Sequence, residues 1–343
     1  MKVINQHQKL LKKGNICIRT EASAAIGYGH VSRCIALAQM LLLDFNITFY
    51  CKSIPKDLES EILNDGFQCE KITSESNFLK QLTSNDIVIL DGYDFDTNYQ
   101  RKIKSQGSKL VCIDDLNDKH FLADVIINYG VLFNEGEYKC ESYTDLYLGL
   151  NYSLLRKPFR EEMKVSLSTV KKSRNKTAFV CFGGTDGFNL TAKAIDALVS
   201  CNISKINVVV GGGFAYSDSL DLYTNSTIEL FQSVDAVKML SIMKASDFAI
   251  VPASTILLEL FTVGMPVITG YYVPNQKPSL AILSEKGLII NCDDMLSNYV
   301  GKLKDAIDGI VNSSDFSASA KQKSIMSDPE KKFQQIFNDL QNA

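Results

Sequence analysis

Short apolar runs recur along the chain, separated by segments in which apolar residues return every three or four positions. In the first half the runs are ICIR (16–19), ITFYC (47–51), DIVILD (86–91), KLVCID (109–114) and DVIIN (124–128). Apolar runs this short, bounded by polar turns, read as buried strands. The clearest helical segment is 31–43, where Val31, Cys34, Leu37, Ala38 and Leu41 share one face. Strand, helix, strand at this rhythm predicts crossover units and a parallel sheet. The rhythm weakens over 131–176, and KVSLSTVKKSRNKT (164–177) has the polar, basic composition of a linker. It resumes with TAFVCF (177–182), INVVV (206–210), TIELF (227–231), DFAIV (247–251), PVITG (266–270) and LIIN (288–291). Helical periodicity between these is strongest over 235–245 and 255–263, and the tail from 329 is amphipathic. The pattern predicts an α/β protein with two parallel-sheet domains, 1–160 and 175–328, and a helix over 329–343.

Composition agrees with this picture and narrows the function. A chain of 343 residues suits two domains, and 45% hydrophobic with 22% charged residues suits a globular core. The net charge is −3 and no basic stripe is evident, which argues against nucleic-acid binding. The first fifteen residues lack the apolar core of a signal peptide, and no apolar run reaches the ~18 residues of a spanning helix. No stable membrane association is expected. Nine cysteines without a C-x-x-C pair, several inside strand-like runs, read as reduced, buried thiols and a cytoplasmic location.

The candidate chemistry lies at the ends of the predicted strands. After 16–19 comes a turn containing Gly27, Tyr28 and Gly29, followed by His30 at a helix start. A dinucleotide fingerprint would need glycines directly after the strand and a third one where Ser32 stands, so that reading fails. His30 is one of three histidines and sits where α/β folds place ligands; it is either a functional base or a helix-start residue.

In the second half, Gly183 and Gly184 end a strand in a turn suited to a phosphate or simply to a tight connection, with a helix cap near Asn189. No G-K-[ST] follows, so this is not a nucleotide-hydrolysing loop. Ser254 and Thr255 begin a helix after 247–251, and Glu259 lies one turn on. Hydroxyls and N–H groups there suit a diphosphate, and the carboxylate suits ribose; the plain alternatives are an N-cap and a solvated charge. Asn275 and Gln276 after 266–270 suit hydroxyl or acetamido groups, or a helix cap.

Two acidic groups suggest metal at first sight. Asp94 and Asp96 form a D-x-D but fall at a predicted helix start, where capping accounts for them. Asp114 and Asp115, with His120 nearby, lack further ligands grouped in sequence. No metal and no cofactor are expected.

Taken in order, Arg19-x-Glu21-x-Ser23-x-x-Ile26-Gly27-x-Gly29-His30-x-x-Arg33-Cys34, Asp91-x-Tyr93, Ile113-Asp114-Asp115, Ala123-Asp124, Tyr147-Leu148-Gly149-x-x-Tyr152-x-Leu154-Leu155-Arg156, Phe182-Gly183-Gly184-x-Asp186 and Asn275-Gln276 resemble one family. It is the UDP-2,4-diacetamido-2,4,6-trideoxy-β-L-altropyranose hydrolases of pseudaminic acid biosynthesis, related to spore-coat polysaccharide proteins. The resemblance runs from about 15 to 290. It implies a GT-B-like fold, with two Rossmann-like domains facing a cleft. It also implies metal-free cleavage between the anomeric carbon and the UDP oxygen, with His30 as base and UDP mainly on the second domain. Arg19, Glu21, Ser23, Gly27, Tyr28, Gly29, Tyr93, Asn275 and Gln276 would then meet the sugar, and Gly183, Gly184, Ser254, Thr255 and Glu259 the nucleotide. The chain departs from the family pattern in carrying Glu21 where aspartate is common, and in Pro252-Ala253 and Leu257-Leu258. A GT-B glycosyltransferase, with His30 activating an acceptor hydroxyl, and a nucleotide-sugar binding module without turnover are the alternatives.

Overall fold

The computed structural model describes residues 12–23, 27–131, 135–165, 176–216, 228–312 and 317–343. The central part of the expected linker, 166–175, and Ile26 of the glycine turn lie outside the described residues. The first sheet is built from β1 (Gly14–Thr20), β2 (Phe45–Cys51), β3 (Gln68–Lys71), β4 (Asp86–Asp91), β5 (Lys109–Ile113), β6 (Val125–Asn128) and β7 (Asp145–Leu148). Its order is β3-β2-β1-β4-β5-β6-β7, with every pairing parallel. The second comprises β8 (Thr177–Val180), β9 (Lys205–Val210), β10 (Ile228–Gln232), β11 (Phe248–Pro252), β12 (Val267–Tyr271) and β13 (Ile290–Asp294), in the order β10-β9-β8-β11-β12-β13, again all parallel. These are two Rossmann-like sheets of the same winding, each with its topological switch beside its first strand.

Helices cover both faces. The first half carries α1 (Gly29–Leu41), α2 (Lys56–Asn64), α3 (Glu75–Leu79), α4 (Thr97–Lys104) and α5 (Lys157–Glu162). The second carries α6 (Leu190–Ser200), α7 (Ala236–Lys244), α8 (Ile256–Val263), α9 (Lys277–Glu285), α10 (Tyr299–Asn312), α11 (Ser317–Ser324) and α12 (Glu330–Asn342). Gly264, in the left-handed conformation at φ 72°, stops α8, as the absence of Cβ allows.

The chain crosses between the two halves twice. Phe159 of α5 packs in the core beneath the second sheet. In return, α12 packs Phe333, Ile336, Phe337 and Leu340 into the core of the first sheet, against α1. Phe333 and Phe337 are fully buried, and each contributes on the order of 1.5–3 kcal/mol. Arg160 of α5 joins these crossings by donating to Glu330 at 2.7 Å.

Two strands have no counterpart in the apolar pattern. β3 is an edge strand and β7 lies at the opposite edge, and their residues are half or fully exposed. Their side chains, among them Cys69, Leu146, Tyr147 and Leu148, pack only on the margins of the cores, so neither strand needs a continuous apolar run, and β7 falls inside the stretch where the pattern weakens. β13, also at an edge, begins two residues later than the LIIN run, because Leu288 and Ile289 are buried in the turn before it.

Candidate active site

β1 and β4 are neighbours, with Thr20 opposite Asp91 at their carboxyl ends. The chain leaving β1 forms a loop whose neck is closed by Gly27 N–H donating to Ser23 O at 2.8 Å, and it enters α1 at Gly29. His30 and Arg33 therefore lie one turn apart over the end of β4. His30 Nδ1 is 2.7 Å from Asp91 Oδ1, and the ring is 5% exposed. Arg33 Nε donates to Asp91 Oδ2 at 2.6 Å, and Arg33 Nη2 donates to Oδ1. Arg33 Nη2 also lies 2.9 Å from His30 Nδ1, so two N–H groups converge on one carboxylate oxygen. With Nδ1–H directed at Asp91, Nε2 is the acceptor of the ring.

Asp91 is fully buried. Burial opposes its charge, but Arg33 and His30 outweigh that and hold its carboxyl below the ordinary value. Arg33 Nη1 extends the cluster, donating to Asp115 at 2.9 Å and to the Tyr129 hydroxyl at 3.1 Å. Tyr93 packs its ring edge-on against His30 at 4.7 Å between centroids, and its hydroxyl lies 3.4 Å from Asp115. A small recess of about 20 Å³ adjoins Tyr93, Arg33, Asp115 and Lys119.

The second sheet presents its own strand ends to this cluster. Thr255, at the start of α8, places its hydroxyl 3.4 Å from that of Tyr129 and makes no side-chain cap. Ser254 is exposed beside it. Gly184 lies under the ring of Tyr28: a Cβ there would stand 2.7 Å from Tyr28 Cγ. The close approach requires glycine, and the two glycine turns meet through that one aromatic ring.

Several expected roles change once partners are visible. The helix cap at 189 is not made by Asn189, whose side chain makes no capping bond; Asp186 accepts from Leu190 N–H and Thr191 N–H, both at 2.8 Å. A carboxylate thus occupies those two donors at the α6 start. Glu259 is neither solvated nor free for a ribose. Arg156, just before α5, donates to both of its oxygens at 2.8 and 2.9 Å, and the pair is nearly buried. Arg19 is buried and pairs with Glu75 and Glu21, with Nη2 2.7 and 2.6 Å from their oxygens. Glu21 in turn accepts from Lys52 N–H and Ser53 N–H. Arg19 and Glu21 therefore brace the end of β1.

Asn275 is exposed, while Gln276 accepts from Tyr272 N–H at 3.1 Å and neither side chain caps α9. Asp96 caps α4 through Tyr99 N–H at 2.7 Å, whereas Asp94 is exposed. His120 pairs with Glu141 at 2.8 Å, Asp114 accepts from Tyr138 and Asn117, and Asp115 serves Arg33, so these three do not converge. Among the described residues no group of three or more His, Cys, Asp or Glu side chains is placed to hold a metal. Tyr129 went unnoticed in the sequence. The available signal was its place just after β6, an aromatic hydroxyl at the carboxyl end of a strand.

No protein-family model matches the chain. An uncharacterised protein of Methanocaldococcus jannaschii is 31% identical over 271 residues, which are 75% of this chain and 55% of that protein. The chain thus spans little more than half the length of that relative. The UDP-2,4-diacetamido-2,4,6-trideoxy-β-L-altropyranose hydrolase of Campylobacter jejuni is 25% identical over 286 residues, 79% of this chain and 97% of that protein. Among solved structures, a glycosyltransferase from Rickettsia africae superposes with a TM-score of 0.59 at 13% identity, covering 96% of this chain and 99% of that one. That likeness establishes the fold: two Rossmann-like domains in the GT-B arrangement. No helix among the described residues is long and apolar enough to cross a membrane.

Proposed function

We propose that this protein hydrolyses a UDP-activated diacetamido-trideoxy sugar at its anomeric C–O bond, releasing UDP and free sugar, as in nonulosonic (pseudaminic-type) acid biosynthesis. The observation that carries the reading is the buried Asp91–His30 pair at the β1/β4 crevice, opposite the start of α8. The motif string and the likeness to the Campylobacter jejuni hydrolase support membership of that family. Nine free thiols among the cysteines suit a reducing cytoplasm.

In this mechanism Asp91 holds Nδ1–H, so Nε2 takes a proton from one water as that water attacks the anomeric carbon. The imidazolium formed is met by the Asp91 carboxylate. The nucleotide lies on the second domain, where Ser254, Thr255 and the Ile256 N–H at the start of α8 face its diphosphate. At the α6 start Asp186 already accepts the Leu190 and Thr191 N–H groups, which favours the α8 start for the diphosphate. Tyr93, Asn275 and Gln276 position the sugar. UDP leaves as an anion that needs no full protonation, so a second glycosidase-type carboxylate is dispensable.

The glycosyltransferase fold favours one second reading, in which an acceptor hydroxyl replaces the water at His30. Purified protein incubated with a panel of UDP-sugars, with and without acceptors and with and without chelator, separates the two. Hydrolysis gives UDP and reducing sugar without acceptor and in the presence of EDTA. UDP release only with an acceptor would select the transferase, and binding without release would leave a sensory module.

A further inference from the structure

Tyr129 joins the His30 cluster to the start of α8. It follows β6, and its ring packs against the core of the first sheet and that of the second. Its hydroxyl accepts Arg33 Nη1–H at 3.1 Å. An acceptor bond leaves the hydroxyl hydrogen free to be given elsewhere, and the other oxygen near it is Thr255 Oγ1 at 3.4 Å. That distance is long for an O–H···O bond, so the contact is weak and the hydroxyl would turn readily to donate to a stronger acceptor. Arg33 is buried and always charged, and its donation polarises the phenol toward giving its own hydrogen.

The geometry points to Tyr129 as a catalytic hydrogen-bond donor to the leaving diphosphate, polarised by Arg33 and placed beside Thr255. This inference rests on the proposed hydrolysis. As the water oxygen bonds to the anomeric carbon, the bond from that carbon to the diphosphate oxygen breaks and its electron pair stays on that oxygen. The water's proton goes to His30. The Tyr129 hydroxyl keeps its proton and donates a hydrogen bond to the oxygen gaining charge, in place of the weak contact with Thr255. UDP departs with that charge, and His30 returns its proton to solvent. Stabilisation of this kind grows along the reaction, so it appears in kcat more than in KM.

Tyr129→Phe keeps the ring and removes the hydroxyl. The expected result is a fall in kcat of about 10²-fold with KM within about threefold, the signature of a donor used in the transition state. Fluorotyrosines placed at 129 supply a second measurement that does not remove the group. A more acidic phenol is a better donor, and kcat should follow its acidity. A rise in KM at unchanged kcat, or a kcat indifferent to fluorination, would overturn the inference. So would Tyr129→Phe turning over at the parent rate. If the parent itself releases no UDP from any UDP-sugar, the functional reading fails first, and this inference falls with it. Should the phenylalanine variant fail to fold, the fluorotyrosine series decides alone.

Discussion

Asp91 Oδ1 stands 2.7 Å from His30 Nδ1, and the same carboxylate takes two hydrogen bonds from Arg33. One buried anion thus serves two groups: it fixes the imidazole tautomer and balances a buried guanidinium. Removing it should have two separable effects. Asp91→Asn leaves Arg33 without its main partner, which costs about 3–5 kcal/mol of stability by denaturant unfolding. It also unfixes the tautomer, lowering kcat of the folded enzyme by ~10²–10⁴-fold. Adding Arg33→Gln should restore part of the stability and none of the turnover. Recovery of both together would reduce Asp91 to a structural anion.

Gly184 has room for a hydrogen and no more, because Tyr28 lies where its Cβ would be. Gly184→Ala should displace that ring and cost about 1–3 kcal/mol, as other forced overpacking does. Tyr28→Ala in the same chain removes the obstacle and should return most of the loss. Thermal unfolding of the two single variants and the double variant measures this; independent, additive losses would contradict the contact.

The Arg156–Glu259 pair fastens the start of α5 to α8 across the two halves. Glu259→Gln should destabilise by about 3 kcal/mol, since a nearly buried guanidinium loses its counter-charge. Arg156→Gln should cost a similar amount, and the double variant less than the sum. A double-mutant cycle with zero coupling would show that the pair contributes nothing.

Acid should weaken the fold partly through Glu75. Burial would raise its carboxyl, but hydrogen bonds from Arg19, Lys52 and Tyr99 prevail and lower it from 4.5 to about 2. The unfolded chain therefore takes up the proton first as pH falls. The contribution of Glu75 is complete above about 4.5 and is lost between there and about 2. Glu75→Gln should be less stable than the parent at neutral pH and should show a shallower decline of stability across that interval. An identical acid limb in both proteins would refute it.

The sheets were legible because strands buried on both faces need continuous apolar runs, as in β1, β4 and β8, and each run led to a motif at its carboxyl end. Edge strands β3 and β7 were not legible, for they meet the cores only at their margins and carry no continuous apolar run. Within the site, sequence spacing placed His30 at a helix start and Thr255 at another, and both positions hold. Partner choice was hidden. Arg19 and Glu259 are charged residues beside the crevice, yet one turns to Glu75 and the other to Arg156. Those pairings join segments 56 and 103 residues apart, and no local pattern encodes them. Tyr129 was missed for the same reason, since its meaning comes from Arg33 and Thr255 converging on it in space.

The central claim is that water, activated at His30, attacks the anomeric carbon and leaves every phosphorus–oxygen bond intact. Hydrolysis of the UDP-diacetamido sugar in ¹⁸O-water, without acceptor, tests it through the isotopic content of the released UDP. The account predicts UDP free of label, formed at least ~10²-fold more slowly by His30→Ala. Label in the terminal phosphate of UDP, or unlabelled release that His30→Ala leaves at the parent rate, would contradict it.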